Sequence, residues 1–213
     1  MISNRYRYVV VEGPIGAGKT SLAKRLADHF HAGTLLENAA ENPFLPKFYQ
    51  DAQRYALSTQ LFFLFQRANQ VRDLAQMDMF SQVTVSDFLL DKDLLFARLN
   101  LNDDEFHLYQ QIYSHLKPQS TTPDLVVYLQ APVDVLVDRV RRRGVPYERT
   151  ISEEYLTNLT ESYSRFFYQY EAAPLLIVNS ENLNFVENRQ DFDLLLKRMA
   201  EMRGQREFFN RAG

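Results

Sequence analysis

Gly13, Gly18, Lys19 and Thr20 stand at the spacing G-x-x-x-x-G-K-[ST], inside the run EGPIGAGKTS at residues 12–21. Glycines let a backbone curl so that successive N–H groups point at one anion, and the positive end of the helix that follows faces the same spot. A lysine in this position reaches the β- and γ-phosphates of a nucleotide, and the neighbouring hydroxyl ligates magnesium. Gly13, Gly16, Ala17, Gly18, Lys19, Thr20 and Ser21 are therefore the candidate phosphate cradle, with ATP the expected nucleotide and Mg2+ its ion, held by Thr20. The motif requires a strand before it and a helix after it. YRYVVVE and TSLAKRLADHF supply both, the latter with Leu22, Leu26 and Phe30 on one face.

A phosphate loop alone does not separate ATPases, GTPases and small-molecule kinases. The guanine-reading N-K-x-D motif is absent, which demotes the GTPases. Glu37 and Asp87 close the second and third apolar runs, and in an open parallel sheet ligands bind beyond the carboxyl ends of the strands. A carboxylate there can accept a proton from an attacking hydroxyl or hold magnesium through water; Asp87 could equally cap a helix. Arg139, Arg141, Arg142, Arg143 and Arg149 concentrate positive charge in or just after one short helix. Guanidinium groups on a flap that closes late can stabilise a transferring phosphoryl group, although cations at a helix C-terminus also complement its dipole. Arg139 and Arg143 share a face and are the candidates, whereas Arg141 points away.

These residues need a scaffold. Apolar runs at 7–11, 33–36, 83–86, 125–129 and 175–178 alternate with longer segments of helical spacing, which is the signature of a parallel sheet with helices on both faces. The longest helix is expected over 52–77, with Leu57, Leu61, Leu64, Phe65, Ala68 and Val71 as its apolar stripe. VDVLVDRVRRRG reads as a helix ended by Gly144. A last helix near 187–203 and a mobile polar tail, RGQREFFNRAG, complete the expectation.

At 213 residues the chain is long enough for one domain spanning 1–213 and short for two. A net charge of −3 argues against a nucleic-acid partner. The N-terminus has neither a signal-peptide core nor an apolar stretch long enough to span a bilayer, so a cytoplasmic location away from the membrane is expected. With no cysteine, disulfides and thiolate zinc sites are excluded, and His29, His31, His107 and His115 lack metal-ligand spacing.

GPIGAGKTSLA, NPFLPKFYQDAQRYALSTQLFFLFQR, VSDFLLDKDLLFA and DLVVYLQAPVDVLVDRVRRRGVPYER, in this order along nearly the whole chain, resemble the deoxyribonucleoside kinase family, especially its bacterial deoxyadenosine/deoxyguanosine kinases. The resemblance implies an α/β phosphate-loop kinase fold with a five-stranded parallel sheet, helices on both faces and an arginine-bearing lid. It also implies a homodimer, and transfer of the ATP γ-phosphate to the 5′-hydroxyl of a small-molecule deoxynucleoside. By the same resemblance Asp87 is the acid that accepts the hydroxyl proton and Glu37 the acid beside that hydroxyl. Gln60 pairs with the base, and Arg67 and Asp93 lie around its edge. Tyr49 and Glu148 bond the sugar 3′-hydroxyl, and Arg139 and Arg143 are lid arginines on phosphate.

The base set Gln60, Arg67 and Asp93 favours a purine. Gln60's amide offers donor and acceptor side by side, Arg67 brings donors suited to N7 and O6 of guanine, and Asp93 can orient that arginine. Two positions depart from the family pattern. Phe88 and Leu89 follow the acid where Arg-Ser is usual, and Val145 follows Gly144 where an arginine is usual; Arg149 is a candidate substitute. Thymidylate kinase, and a nucleotide-binding regulatory module without transfer, stay open as rivals.

Overall fold

Tyr8–Glu12 (β1) is buried at every position, as a strand covered on both faces must be. The computed structural model describes residues 5–76, 83–117 and 121–210. In them β1 joins Gly33–Leu35 (β2), Thr84–Ser86 (β3), Leu125–Gln130 (β4), Leu175–Asn179 (β5) and Arg206–Phe209 (β6). The order is β2-β3-β1-β4-β5-β6, and every pairing is parallel. The five expected runs are the first five strands.

The sixth strand corrects both the five-stranded sheet and the mobile tail. REFF is only half-buried and shows no continuous apolar run, so its hydropathy does not announce a strand. Backbone pairing defines it instead, from Leu175 opposite Arg206 to Val178 opposite Phe209. The Arg206 guanidinium adds hydrogen bonds to the carbonyls of Tyr168 and Tyr170, each 2.8 Å. The end of that stretch, 211–213, lies outside the described residues.

Side chains alternate across β1. Val9 and Val11 share a core with Leu22 and Leu26 of Lys19–Phe30 (α1), and with Leu195 of a C-terminal helix, Arg189–Glu201. Tyr8 and Val10 share the opposite core with Leu159, Tyr163 and Phe167 of a further helix, Glu153–Gln169. Burying each such valine contributes about 1.5–3 kcal/mol.

A third core lies among helices. Leu45–Phe48 (α2), Ala52–Gln76 (α3), Asp93–Asn100 (α4) and Asp103–Leu116 (α5) pack through Phe48, Phe63, Leu64, Ala97 and Tyr109. In α3, Leu64, Ala68 and Val71 are buried as expected and Leu57 and Leu61 are half-buried, but Phe65 is 48% exposed. One residue beyond Leu64 is a turn of about 100°, which carries Phe65 off the buried face. Residue 77, the expected end of this helix, is outside the described residues.

Val133–Arg143 (α6) ends at Gly144, whose φ of 71° is the left-handed conformation of a glycine cap. A 3₁₀ turn, Pro146–Thr150, follows, then Glu153–Gln169 (α7) and, after β5, Arg189–Glu201 (α8). Among the described residues no helix is long and apolar enough to cross a membrane.

Candidate active site

The phosphate loop curls between β1 and α1, packed against α6. Gly16 has φ 89°, and a Cβ there would lie 2.7 Å from the Leu136 carbonyl, so only glycine permits this approach. Gly16, Ala17, Gly18, Lys19, Thr20 and Ser21 line a cavity of about 1110 Å³ with Arg139, Arg142 and Arg143 of α6 and with residues 180–186. Gly13 stands apart from this group. Its N–H donates to Glu12 Oε2 at 2.9 Å, so it shapes the turn instead of offering its amide to phosphate. Lys19 Nζ donates to the Pro14 carbonyl at 3.1 Å. Burial, with the Lys92 ammonium nearby, lowers the Lys19 pKa to about 8 against the raising influence of Glu12, Glu37 and Asp87.

A second cavity, of about 150 Å³, lies between the sheet and the helices α2, α3 and α4. Lys19, Thr20 and Arg143 line both cavities. Asp87 follows β3 directly and is 2% exposed. Its Oδ1 accepts the Glu37 N–H at 2.7 Å, and its Oδ2 accepts the Thr20 hydroxyl. Both oxygens are thus turned to the phosphate loop and to Glu37, and Asp87 is not the residue that caps the next helical turn, Leu90–Lys92. The touching hydroxyl and carboxylate of Thr20 and Asp87 are an all-oxygen set that suits magnesium, an ion that takes one or two protein ligands beside phosphate and water.

Glu37 lines the second cavity with its carboxylate tied to Arg67, whose Nε donates to Oε2 at 2.7 Å and whose Nη2 donates to the same oxygen. Burial alone would raise the Glu37 pKa, but Arg67, Lys92 and Lys19 outweigh it and hold the carboxyl down at about 2. Arg67 Nη1 also donates to Asp93 Oδ1. Asp93 is fully buried and does not line the cavity; it grips Arg67 from behind. Its other oxygen has no partner, and burial raises its pKa to about 6 in spite of Arg67. The expected base set is therefore one layer of Gln60 and Arg67 on the cavity wall, supported by Asp93. Thr59 adds a buried hydroxyl without a partner on the same wall.

Tyr49 and Glu148 also meet at this cavity. Arg143 Nη2 and Nε reach Glu148 Oε2 at 2.6 and 2.9 Å, and Tyr49 stacks on Tyr147 with centroids 6.1 Å apart. Arg139 goes elsewhere. Its Nη2 donates to the Ser180 carbonyl at 2.7 Å, so the two arginines share the wall of the first cavity but take different protein partners. A rise of about 1.5 Å per residue separates residues four apart by a full turn, enough to divide their partners. Arg141 is exposed, as expected; Arg149 is exposed and lines neither cavity, whereas Arg142, not singled out from the sequence, lines the first.

Sequence reasoning missed a buried ion pair. Glu12 closes β1 at 0% exposure, and its Oε1 lies 2.7 Å from Lys92 Nζ, itself 3% exposed at its side chain. Glu12 further accepts the Leu89 N–H at 2.9 Å and the Tyr163 hydroxyl at 3.1 Å. The available signals were an acid ending an all-apolar strand at VVVEG and a lone lysine inside DFLLDKDLLFA.

Comparison with known proteins shows the family. A family model described as deoxynucleoside kinase matches residues 9–202. The chain is 31% identical over 206 residues to a deoxyguanosine kinase of Bacillus subtilis (strain 168), covering 93% of this chain and 99% of that protein. It is 29% identical to a deoxyadenosine kinase of Lactobacillus acidophilus, over 91% of this chain and 94% of that one. A solved structure of deoxyadenosine kinase from M. mycoides with bound dCTP superposes with TM-score 0.79 over 92% of this chain and 100% of that chain, at 21% identity.

Proposed function

The chain belongs to the deoxynucleoside kinase family and is an enzyme that phosphorylates deoxynucleosides, and on that premise we propose that it moves the γ-phosphate of ATP to the 5′-hydroxyl of a purine deoxynucleoside, in nucleotide salvage. The observation that carries this reading is the wall common to the two cavities, made of Lys19, Thr20 and Arg143 with Asp87 beside it. A donor phosphate in the large cavity and an acceptor hydroxyl in the small one then meet without either leaving its site.

Gly16 to Ser21 bind the phosphates, with Lys19 as their point charge. Thr20 would hold a magnesium ion beside the phosphates, which would supply charge neutralisation there. Asp87 takes the proton of the 5′-hydroxyl, and Glu37, fixed by Arg67, orients that hydroxyl. Tyr49 and Glu148 grip the 3′-hydroxyl, and Arg143, bonded to Glu148 and lining both cavities, brings a guanidinium to the equatorial phosphoryl oxygens. Arg139 serves the donor side. Gln60 pairs with the purine edge, and a polar site left unpaired by the wrong base discriminates strongly. The names of the relatives, deoxyguanosine and deoxyadenosine kinase, support the purine assignment.

The same reading takes residues 1–213 as one catalytic domain, acting in the cytoplasm as a homodimer. The test is an acceptor panel with ATP and magnesium: deoxyguanosine, deoxyadenosine, deoxycytidine, thymidine and thymidine monophosphate, with products separated by chromatography. Purine 5′-monophosphates should form at the highest kcat/KM. Best turnover of thymidine would refute the purine pocket, and a diphosphate product from thymidine monophosphate would favour a nucleotide kinase.

A further inference from the structure

In the family pattern an arginine follows the catalytic acid, and here that position is Phe88, whose side chain is wholly buried and turned away from the cavity wall. Lys92, one 3₁₀ turn further on, does line the cavity, with Asp87 and Glu37. Its ammonium stands 2.7 Å from Glu12 Oε1 and 3.9 Å from Glu37 Oε2, while the Phe96 ring covers it at 5.7 Å. A buried ion pair is a poor device for stability, because desolvating both charges offsets most of their attraction. The pair is nevertheless placed where β1 becomes the phosphate loop. Glu12 holds Lys92 with one oxygen and the Gly13 N–H with the other, and the Leu89 N–H ties the turn after Asp87 to the same carboxylate.

We propose that Lys92 is a positioning residue for phosphoryl transfer: anchored by Glu12, it holds the Glu37 carboxylate by its charge, beside the bonds from Arg67, and so sets the acceptor hydroxyl against Asp87, a task left open by Phe88. Both cations act on the same oxygen, Glu37 Oε2, Arg67 by hydrogen bonds and Lys92 from 3.9 Å, and together they hold that oxygen in one place. The Lys92 charge is among those that keep Glu37 ionised. Removing it leaves the cavity and Gln60 in place, so the acceptor still binds, but with its hydroxyl poorly aimed.

The inference rests on the kinase reading, and the test separates the two. Lys92→Met keeps the stem and removes the charge; kcat per folded molecule should fall about 100-fold, the size typical of losing one preorganised charged donor, with deoxynucleoside affinity by calorimetry close to wild type. Lys92→Arg should recover much of kcat. Because Lys92→Met strands the Glu12 charge, the double variant Glu12→Gln/Lys92→Met is the decisive one: it should restore melting temperature and leave kcat low. A double variant that recovers kcat together with stability would show that the pair only holds the fold, as would a Lys92→Met enzyme with wild-type turnover. A wild-type chain that turns over no deoxynucleoside would instead sink the kinase reading beneath it.

Discussion

In the proposed transfer Asp87 is the base, and its hydrogen-bond partners bear on the alternative that it caps a helix. A helix cap would point its oxygen at the amides of its own helix, whereas Asp87 accepts from Thr20 and from the Glu37 backbone. Asp87→Asn retains size and acceptor geometry but cannot take a proton. Its kcat should fall by about 10²–10⁴-fold with deoxynucleoside affinity preserved, measured by steady-state rates and calorimetry; a loss of stability alone would return Asp87 to a structural role. Glu37 carries a pH signature. Its carboxyl is held at about 2 in the folded chain against an ordinary 4.5, so it stabilises the fold above pH 4.5 and loses that contribution as pH falls toward 2. Asp93 has the opposite sign: raised to about 6 from 3.8, it binds its proton more tightly when folded, so acidification through that range adds stability. Glu37→Gln should therefore flatten the acid decline of melting temperature between pH 4.5 and 2, and should also shrink the Asp93 rise, because the Glu37 charge helps to raise the Asp93 pKa. Asp87 and Glu37 stand out in the sequence as acids that close apolar runs, and Gln60 enters through the family resemblance. Glu12 and Lys92 each carry a local signal, but nothing in the sequence pairs residues so far apart along the chain.

At the scale of elements, periodicity marked what burial creates and missed what backbone pairing creates. The central strands read as apolar runs, and the edge strand β2 reads as one because Leu35 and Leu36 close it; β6, at the other edge, has charged Arg206 and Glu207 in its first half and reads as a polar tail. Its contribution is testable. Truncation after Gly204 removes β6 and exposes the β5 edge, Leu175–Asn179, with its unpaired backbone groups. Melting temperature should drop and concentration-dependent aggregation rise, because an uncovered apolar edge is a template for another chain. An unchanged melting curve would make β6 ornamental. The lid helix α6 ends at the glycine cap that the sequence marks and brings Arg139 and Arg143 to the first cavity, but helical spacing gives only their shared face and not their separate partners, Ser180 and Glu148.

Across the whole molecule, the parallel sheet does one thing for function: it delivers the ends of β1, β2 and β3 to one region, so that phosphate loop, Glu37 and Asp87 converge there. Helices α2, α3 and α4 then close the second cavity over them, and the lid helix supplies Arg143 to both cavities. The central claim is that the phosphoryl group crosses directly from one cavity to the other, with Asp87 as base and no protein group carrying it between. Direct in-line displacement inverts configuration at phosphorus, whereas a relay through a phosphorylated side chain restores it. The measurement is the configuration of the product 5′-monophosphate made from ATP that is isotopically chiral at its γ-phosphorus. Inversion is the predicted result, and retention would contradict the account.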